Sequence, residues 1–149
     1  MNLGERRAIE VECQRLLHAY CVHLDRREFA AFVGLFTPDA RLTFPYADLH
    51  GHDGILAWLD DRAETVLTIH QSSTGLIEVE GAGRARGIST VTVYRHDATG
   101  LPIPRPLVFG NPVQIGQYED EFVFTPGGWR IARRLVEVLL KVPVGGSSG

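Results

Sequence analysis

One change of hydrophobic period divides this chain and restricts its fold more than any other feature. Between residues 5 and 24 the residues Ile9, Cys13, Leu16, Leu17, Tyr20 and Leu24 recur at the i, i+4, i+7, i+8, i+11, i+15 spacing of one buried helix face. From His70 onward the period is two, and Leu76–Glu80, Arg84–Tyr94, Val113–Thr125 and Trp129–Leu140 read as strands. Helices first and strands afterwards do not build alternating βαβ units. They predict an α+β fold, with helices packed on one face of a mainly antiparallel sheet.

The intervening segments carry weaker signals. Phe29, Phe32, Val33 and Phe36 are spaced for a second helix over about Glu28 to Phe36, which Thr37-Pro38-Asp39 should end because proline disfavours helix in the residue before it. Arg41-Leu42-Thr43-Phe44 alternates like a strand. His50-Gly51-His52-Asp53-Gly54 reads as a turn, with Asp53 as N-cap of a third helix through Ile55, Leu56, Trp58 and Leu59. Pro126-Gly127-Gly128 should turn the last two strands into a hairpin. Four prolines between Asp97 and Pro112 mark a long irregular loop of the kind that forms lids and rims. With 149 residues, 44% of them apolar, the chain has material for one domain with a real core, expected over residues 1–142. Residues 143–149 read as a disordered Gly/Ser tail.

Charge and cysteine usage exclude several classes of function. A net charge of −3 leaves no electrostatic footprint for nucleic acid or an anionic membrane, and Arg6-Arg7, Arg26-Arg27 and Arg133-Arg134 come as isolated pairs. Cys13 and Cys21 share the first helix. At about 1.5 Å of rise per residue they lie roughly 12 Å apart, beyond the roughly 7 Å that a disulfide tolerates. They read as buried small hydrophobes, which fits a reducing compartment. The N-terminal segment has no apolar signal region, and no apolar run approaches the roughly 20 residues of a membrane span. A cytoplasmic protein is expected.

Two residues bear on chemistry. Asp25 sits where the helical pattern breaks off, and His70 sits in Thr68-Ile69-His70-Gln71 at the head of the strand region. An aspartate that orients a histidine in a pocket that excludes water makes a general base with neither metal nor cofactor. Each residue also has a plain structural reading. Asp25 can cap a helix beginning at Arg26, with Glu28 completing a capping box, and His70 can bond a backbone carbonyl. The strand from Arg84 carries Ala85, Gly87, Ser89, Val91 and Val93 on one face. Such small residues leave room for a closely packed helix or for a cavity. His50 and His52 invite a metal reading, but no third ligand is evident, so no metal is expected there. Gly81-Ala82-Gly83-Arg84-Ala85-Arg86-Gly87 has the wrong spacing for a dinucleotide fingerprint and precedes a strand. Arg134 is placed to pair with Asp120 across the last two strands.

Taken in order, several segments resemble one family. They are Tyr20 through Leu24-Asp25-Arg26-Arg27-Glu28 to Leu35-Phe36-Thr37-Pro38-Asp39-Ala40, then His70, the strand Gly87 to Val93, and Gly116-Gln117-Tyr118-Glu119-Asp120 with Gly128-Trp129-Arg130-Ile131. This order is similar to the SnoaL-like branch of the nuclear transport factor 2-like superfamily. The resemblance implies a cone-shaped α+β barrel, a curved sheet wrapped around the N-terminal helices with a deep apolar pocket, and commonly a homodimer. It includes dehydratases of the scytalone type, a dehydrochlorinase, isomerases, polyketide cyclases and non-catalytic members. In its dehydratase branch an Asp–His pair is the base, and Asp25 and His70 match those places. Tyr20 matches a tyrosine five residues before the aspartate, with core packing as the alternative. Phe44 stands where scytalone dehydratase has a binding tyrosine, with Tyr46 close by, and Ser89 or Thr90 falls near the place of its second pocket histidine, which this chain lacks. Trp58 and Phe44 are further candidates for the pocket wall. The resemblance therefore implies a lyase or isomerase acting without a cofactor on a hydrophobic, cyclic small molecule, with dehydration first. A cyclase or ketosteroid-type isomerase using Asp25 alone is the alternative, and a non-catalytic binding module on the same fold is the third reading.

Overall fold

A computed structural model describes residues 1–143. Most of the expected Gly/Ser tail, residues 144–149, lies outside the described residues. The elements are α1 (Leu3–Asp25), α2 (Phe29–Val33), β1 (Phe36–Phe44), β2 (Ala47–His50), α3 (Gly51–Asp60), β3 (Val66–Gly81), β4 (Arg84–Asp97), β5 (Gln114–Thr125) and β6 (Gly128–Lys141). The class is α+β, and one six-stranded sheet runs in the order β2-β1-β6-β5-β4-β3. Only β1 and β6 are parallel; every other pair is antiparallel. The sheet ends at β2 and β3, which do not pair with each other, so it is open where a closed barrel was expected.

α1 starts in a capping box, in which Asn2 accepts from the Glu5 backbone N–H and Glu5 accepts from that of Asn2. Its expected face is the buried one: Cys13, Leu16, Leu17, Tyr20 and Leu24 all lie in the core, joined by Cys21. This face packs on β3 and β6. Burial rather than helix propensity thus sets the helix's place on the sheet.

Four local expectations are corrected. The second helix is shorter than its apolar spacing predicts, because Phe36 leaves it to open β1 and pairs with Ile131. Pro38 then lies inside a strand. It is tolerated because the β1–β6 ladder is interrupted between Phe36 and Arg41, where a missing N–H breaks no ladder bond. The supposed turn at 50–54 is instead the end of β2 and the start of α3. Gly51 takes φ +67°, which starts the helix early, so His50 is the N-cap and Asp53 falls in the first turn. Finally, β3 begins at Val66, so His70 lies within the strand rather than at its head. The polar run Ser72-Ser73-Thr74 hides this continuity, since the β3–β4 register shifts between Ser72 and Gly75.

The small-residue face of β4 borders a cavity over one half only, and what fills the other half is side chains of the neighbouring strands rather than a helix. Its first half is packed tight: a Cβ on Gly87 would come within 2.8 Å of Ile77 Cδ1 and 3.0 Å of Phe122. Its second half, Val91 and Val93, borders a cavity. The β5–β6 hairpin turns at Pro126-Gly127, and Gly128 takes φ +106°. Residues 98–113 form the expected irregular segment. Among the described residues, no helix is long and apolar enough to cross a membrane.

Candidate active site

The C-terminal end of α1 delivers a carboxylate to β3. Asp25 is the last residue of α1, Arg26 is its C-cap, and Arg27 turns the chain with φ +59°. Asp25 is therefore no N-cap; Glu28 holds that place for α2, without a side-chain cap bond. The freed carboxylate accepts three hydrogen bonds. Thr68 Oγ1 donates to Oδ1 at 2.9 Å, the His70 backbone N–H to Oδ2 at 2.7 Å, and His70 Nδ1 to Oδ1 at 2.6 Å. A carboxylate only accepts, so the neutral imidazole carries its proton on Nδ1 and leaves Nε2 as an acceptor. Thr68 and His70 alternate onto one face of β3, which is why a single carboxylate reaches both. The His70 and Asp25 side chains are only 12% and 13% exposed, so little water competes for this contact.

His70 borders a cavity of about 580 Å³, within the range of small-molecule sites. Phe44, Tyr46 and Trp58 form an aromatic wall, with Phe44 stacked on Tyr46 at 5.2 Å and on Trp58 at 4.9 Å between centroids. Val91, Val93 and Val136 face the same space from the sheet. Asp25 does not border it; its partners Thr68 and His70 do. A second groove, on the outer sheet surface between Leu76, Ile88, Glu119 and Arg133, holds no histidine.

The family model described as a SnoaL-like domain matches residues 5–135, from α1 into β6. The chain belongs to the SnoaL-like family. Uncharacterised proteins of Mycobacterium tuberculosis and Mycobacterium bovis are 32% identical to it over 135 residues, which cover 84% of this chain and 82% of each of theirs. In structure it is similar to a protein provisionally named scytalone dehydratase from Novosphingobium aromaticivorans, with a TM-score of 0.81, 20% identity, and 95% of this chain and 91% of that one covered. It is also similar to hexachlorocyclohexane dehydrochlorinase LinA-type3 from Novosphingobium barchaimii, with a TM-score of 0.75, 18% identity, and 97% and 96% covered. At these identities the likeness is one of fold, the nuclear transport factor 2-like fold, whose members include dehydratases and dehydrochlorinases.

Of the other expected site residues in this SnoaL-like chain, Tyr20, Phe44, Tyr46 and Trp58 border the cavity, whereas Ser89 does not. Ser89 lies in the packed half of β4, opposite Gly75, and its Oγ is buried without a partner. The family resemblance placed it near the pocket; in the fold it is paired with Gly75 on one side and Tyr118 on the other. Tyr20 is 1% exposed, in edge contact with Tyr118 at 5.5 Å. Burial pushes its phenol well above the ordinary range, with the nearby Arg134 opposing, so the hydroxyl keeps its proton. Arg134 meets Asp120 as expected, Nε to Oδ1 at 2.7 Å and Nη2 to Oδ2 at 2.9 Å, with both side chains fully buried. Its guanidinium lies 4.2 Å from the Tyr20 ring centroid and 3.9 Å from that of Tyr118. His50 and His52 part company: His50 lies 3.3 Å from Asp48, whereas His52 bonds the Phe36 carbonyl at 2.8 Å.

Two residues had drawn no attention. Thr68 precedes His70 by one strand period, a signal that the true start of β3 would have exposed. Arg62 lies between α3 and β3, in a segment with no periodicity to mark it. Its Nη2 donates to Thr68 Oγ1 at 2.6 Å and its side chain borders the cavity.

Proposed function

We propose that this chain is a cofactor-independent lyase that acts on a hydrophobic, ring-sized molecule, with dehydration as the reaction. The observation that carries this reading is the 2.6 Å contact between Asp25 and His70 Nδ1, with His70 at the wall of the cavity and Asp25 behind it. His70 Nε2 takes a proton from a carbon beside a carbonyl. The electron pair left on that carbon forms the new double bond as a hydroxyl leaves from the next carbon. The proton on Nε2 returns to that hydroxyl, which departs as water. Asp25 stabilises the transient imidazolium, whose charge in a dry cavity would otherwise go uncompensated. Tyr20, a neutral phenol at the same wall, is suited to polarise the carbonyl.

Isomerisation with Asp25 alone as base is less well supported, because both carboxylate oxygens already accept bonds from Thr68 and His70. A panel of cyclic β-hydroxy ketones tests the lyase reading, with enone absorbance as the readout. His70→Ala and Asp25→Asn should each slow enone formation by about 100-fold or more. Equal rates in His70→Ala and the wild type would sink the mechanism.

A further inference from the structure

The cavity has a charge that the chain as a whole does not. The sequence holds 18 acidic residues against 15 Lys and Arg. Yet the cavity is bordered by Arg62, Arg95 and Lys141 and by no Asp or Glu. Arg62 is the half-buried member of this set. Arg95 is exposed and has a counter-ion, Asp97, at 3.1 Å; Lys141 is exposed at the end of β6.

Arg62 has no carboxylate partner among the described residues, and of its three guanidinium nitrogens only Nη2 is bonded, to Thr68. Its Nε is buried without an acceptor. The contrast lies within the same molecule. The guanidinium of Arg134 grips Asp120 through two nitrogens, and that of Arg41 grips Asp48 in the same way. Arg62, by contrast, grips no carboxylate among the described residues. Arg27 fixes the backbone around it, donating from Nη2 to the Arg62 carbonyl at 2.7 Å and from Nη1 to that of Ala63 at 3.0 Å. This brace brings a further cation close. Burial first, and then the neighbouring Arg27 and Arg95, press the Arg62 guanidinium to lose its proton, so an anion beside it would be favoured. The carboxylate of Asp25 is reached only through Thr68 and is already bonded to His70.

We propose that the cavity selects substrates whose apolar, ring-sized body carries a carboxylate, and that Arg62 binds that carboxylate while Arg95 and Lys141 attract it at the rim. This rests on the lyase reading only in taking the cavity as the substrate site. The N–H groups of Nη1 and the second N–H of Nη2 are available to an end-on carboxylate, the planar match that guanidinium makes best. The chain of contacts Arg62–Thr68–Asp25–His70 puts this anchor on the same wall as the base. A carboxylate held there by a cation lets a proton leave the neighbouring carbon more readily, since the negative charge that develops is offset.

The test is equilibrium binding by calorimetry, with benzoate, cyclohexanecarboxylate and 1-naphthoate each compared with its carboxamide. At least one acid should bind the wild type about 10-fold or more tightly than its amide, the scale of a charge-assisted hydrogen bond. Arg62→Gln should abolish that preference, with amide affinity unchanged. Arg95→Gln and Lys141→Gln should weaken acid binding by only about two- to three-fold, an effect that salt screens away. If Arg62→Gln does not fold, Arg62→Lys decides: it must weaken the acid several-fold and spare the amide. No acid outbinding its amide in the wild type, a preference that survives in Arg62→Gln, or equal loss of acid and amide in Arg62→Lys would each overturn the proposal. Titration and turnover assays on the wild type together separate the two claims. An acid preference in a protein that turns over nothing sinks the lyase reading alone, and turnover of neutral ketones without an acid preference sinks this proposal alone.

Discussion

Two carboxylates lie inside this molecule, and it treats them in opposite ways. Asp120 faces Arg134, a group that never releases its proton, through two parallel hydrogen bonds in a site with no exposure at all. Asp25 faces His70, an imidazole with one ring nitrogen held by the carboxylate and the other left to take up and return a proton, and behind His70 is open space. A pair of fixed charges sealed in the core can only hold the structure. A pair with one member that gains and sheds a proton, at the edge of a cavity, can do acid–base work. What separates structure from chemistry here is the partner and the opening, not the aspartate.

The largest expected effect breaks the sealed pair. Asp120→Ala or Arg134→Ala should cost about 3–5 kcal/mol in urea unfolding, because each leaves a charge buried without its partner. The double replacement Asp120→Leu with Arg134→Met should recover much of that loss, since it buries no charge. Asp25→Asn, by contrast, should cost only about 1 kcal/mol in the same measurement. Equal losses for Asp120→Ala and Asp25→Asn would erase the distinction. The next effect falls on turnover, where His70→Ala and Asp25→Asn should lower the rate by about 100-fold or more while the protein stays folded by circular dichroism.

Thr68→Val sharpens the comparison on the open side. It removes the hydroxyl that joins Arg62 to Asp25 and should cost about 1 kcal/mol of stability. Turnover should fall several-fold rather than a hundred-fold, because the Asp25–His70 bond survives. A loss as large as that of His70→Ala would make Thr68 part of the proton-transfer step.

The smallest effect concerns the two thiols beneath α1. Burial pushes Cys21 up to about 11 and Cys13 up to about 12. Both values exceed the unfolded thiol's, so the stability they contribute is complete below the unfolded value. It is lost as pH rises towards these folded values. Urea midpoints should therefore be insensitive to these groups at pH 7 and should decline in the alkaline range. Both thiols should resist Ellman's reagent at pH 8 until the protein unfolds; rapid labelling of the native protein would contradict the burial.

Legibility followed the range of the physical signal. The α1 face and the β5–β6 hairpin were readable because burial on a regular element leaves a period in the sequence, and a tight turn requires particular residues. Asp25 and His70 were nameable from the family resemblance, although each alone looked structural. Other features left no local trace. Phe36 belonged to a helical spacing yet paired with Ile131, because the strand it joins comes from the far end of the chain. The first half of β3 was hidden by a polar run at a register shift. Ser89 sat on the right strand but outside the stretch, Val91 and Val93, that borders the cavity.

By itself, then, the sequence determined the order of helices and strands, the α+β class and the buried face of α1. These follow from periodicity and side-chain chemistry, which act over a few residues. The tertiary structure alone decided that the sheet stays open and that Asp25 meets His70 rather than capping a helix. It decided also that Arg62, unmarked in its loop, stands beside them without a counter-ion. Those outcomes depend on contacts between segments tens of residues apart, where packing and the pairing of buried charge settle what no local pattern records.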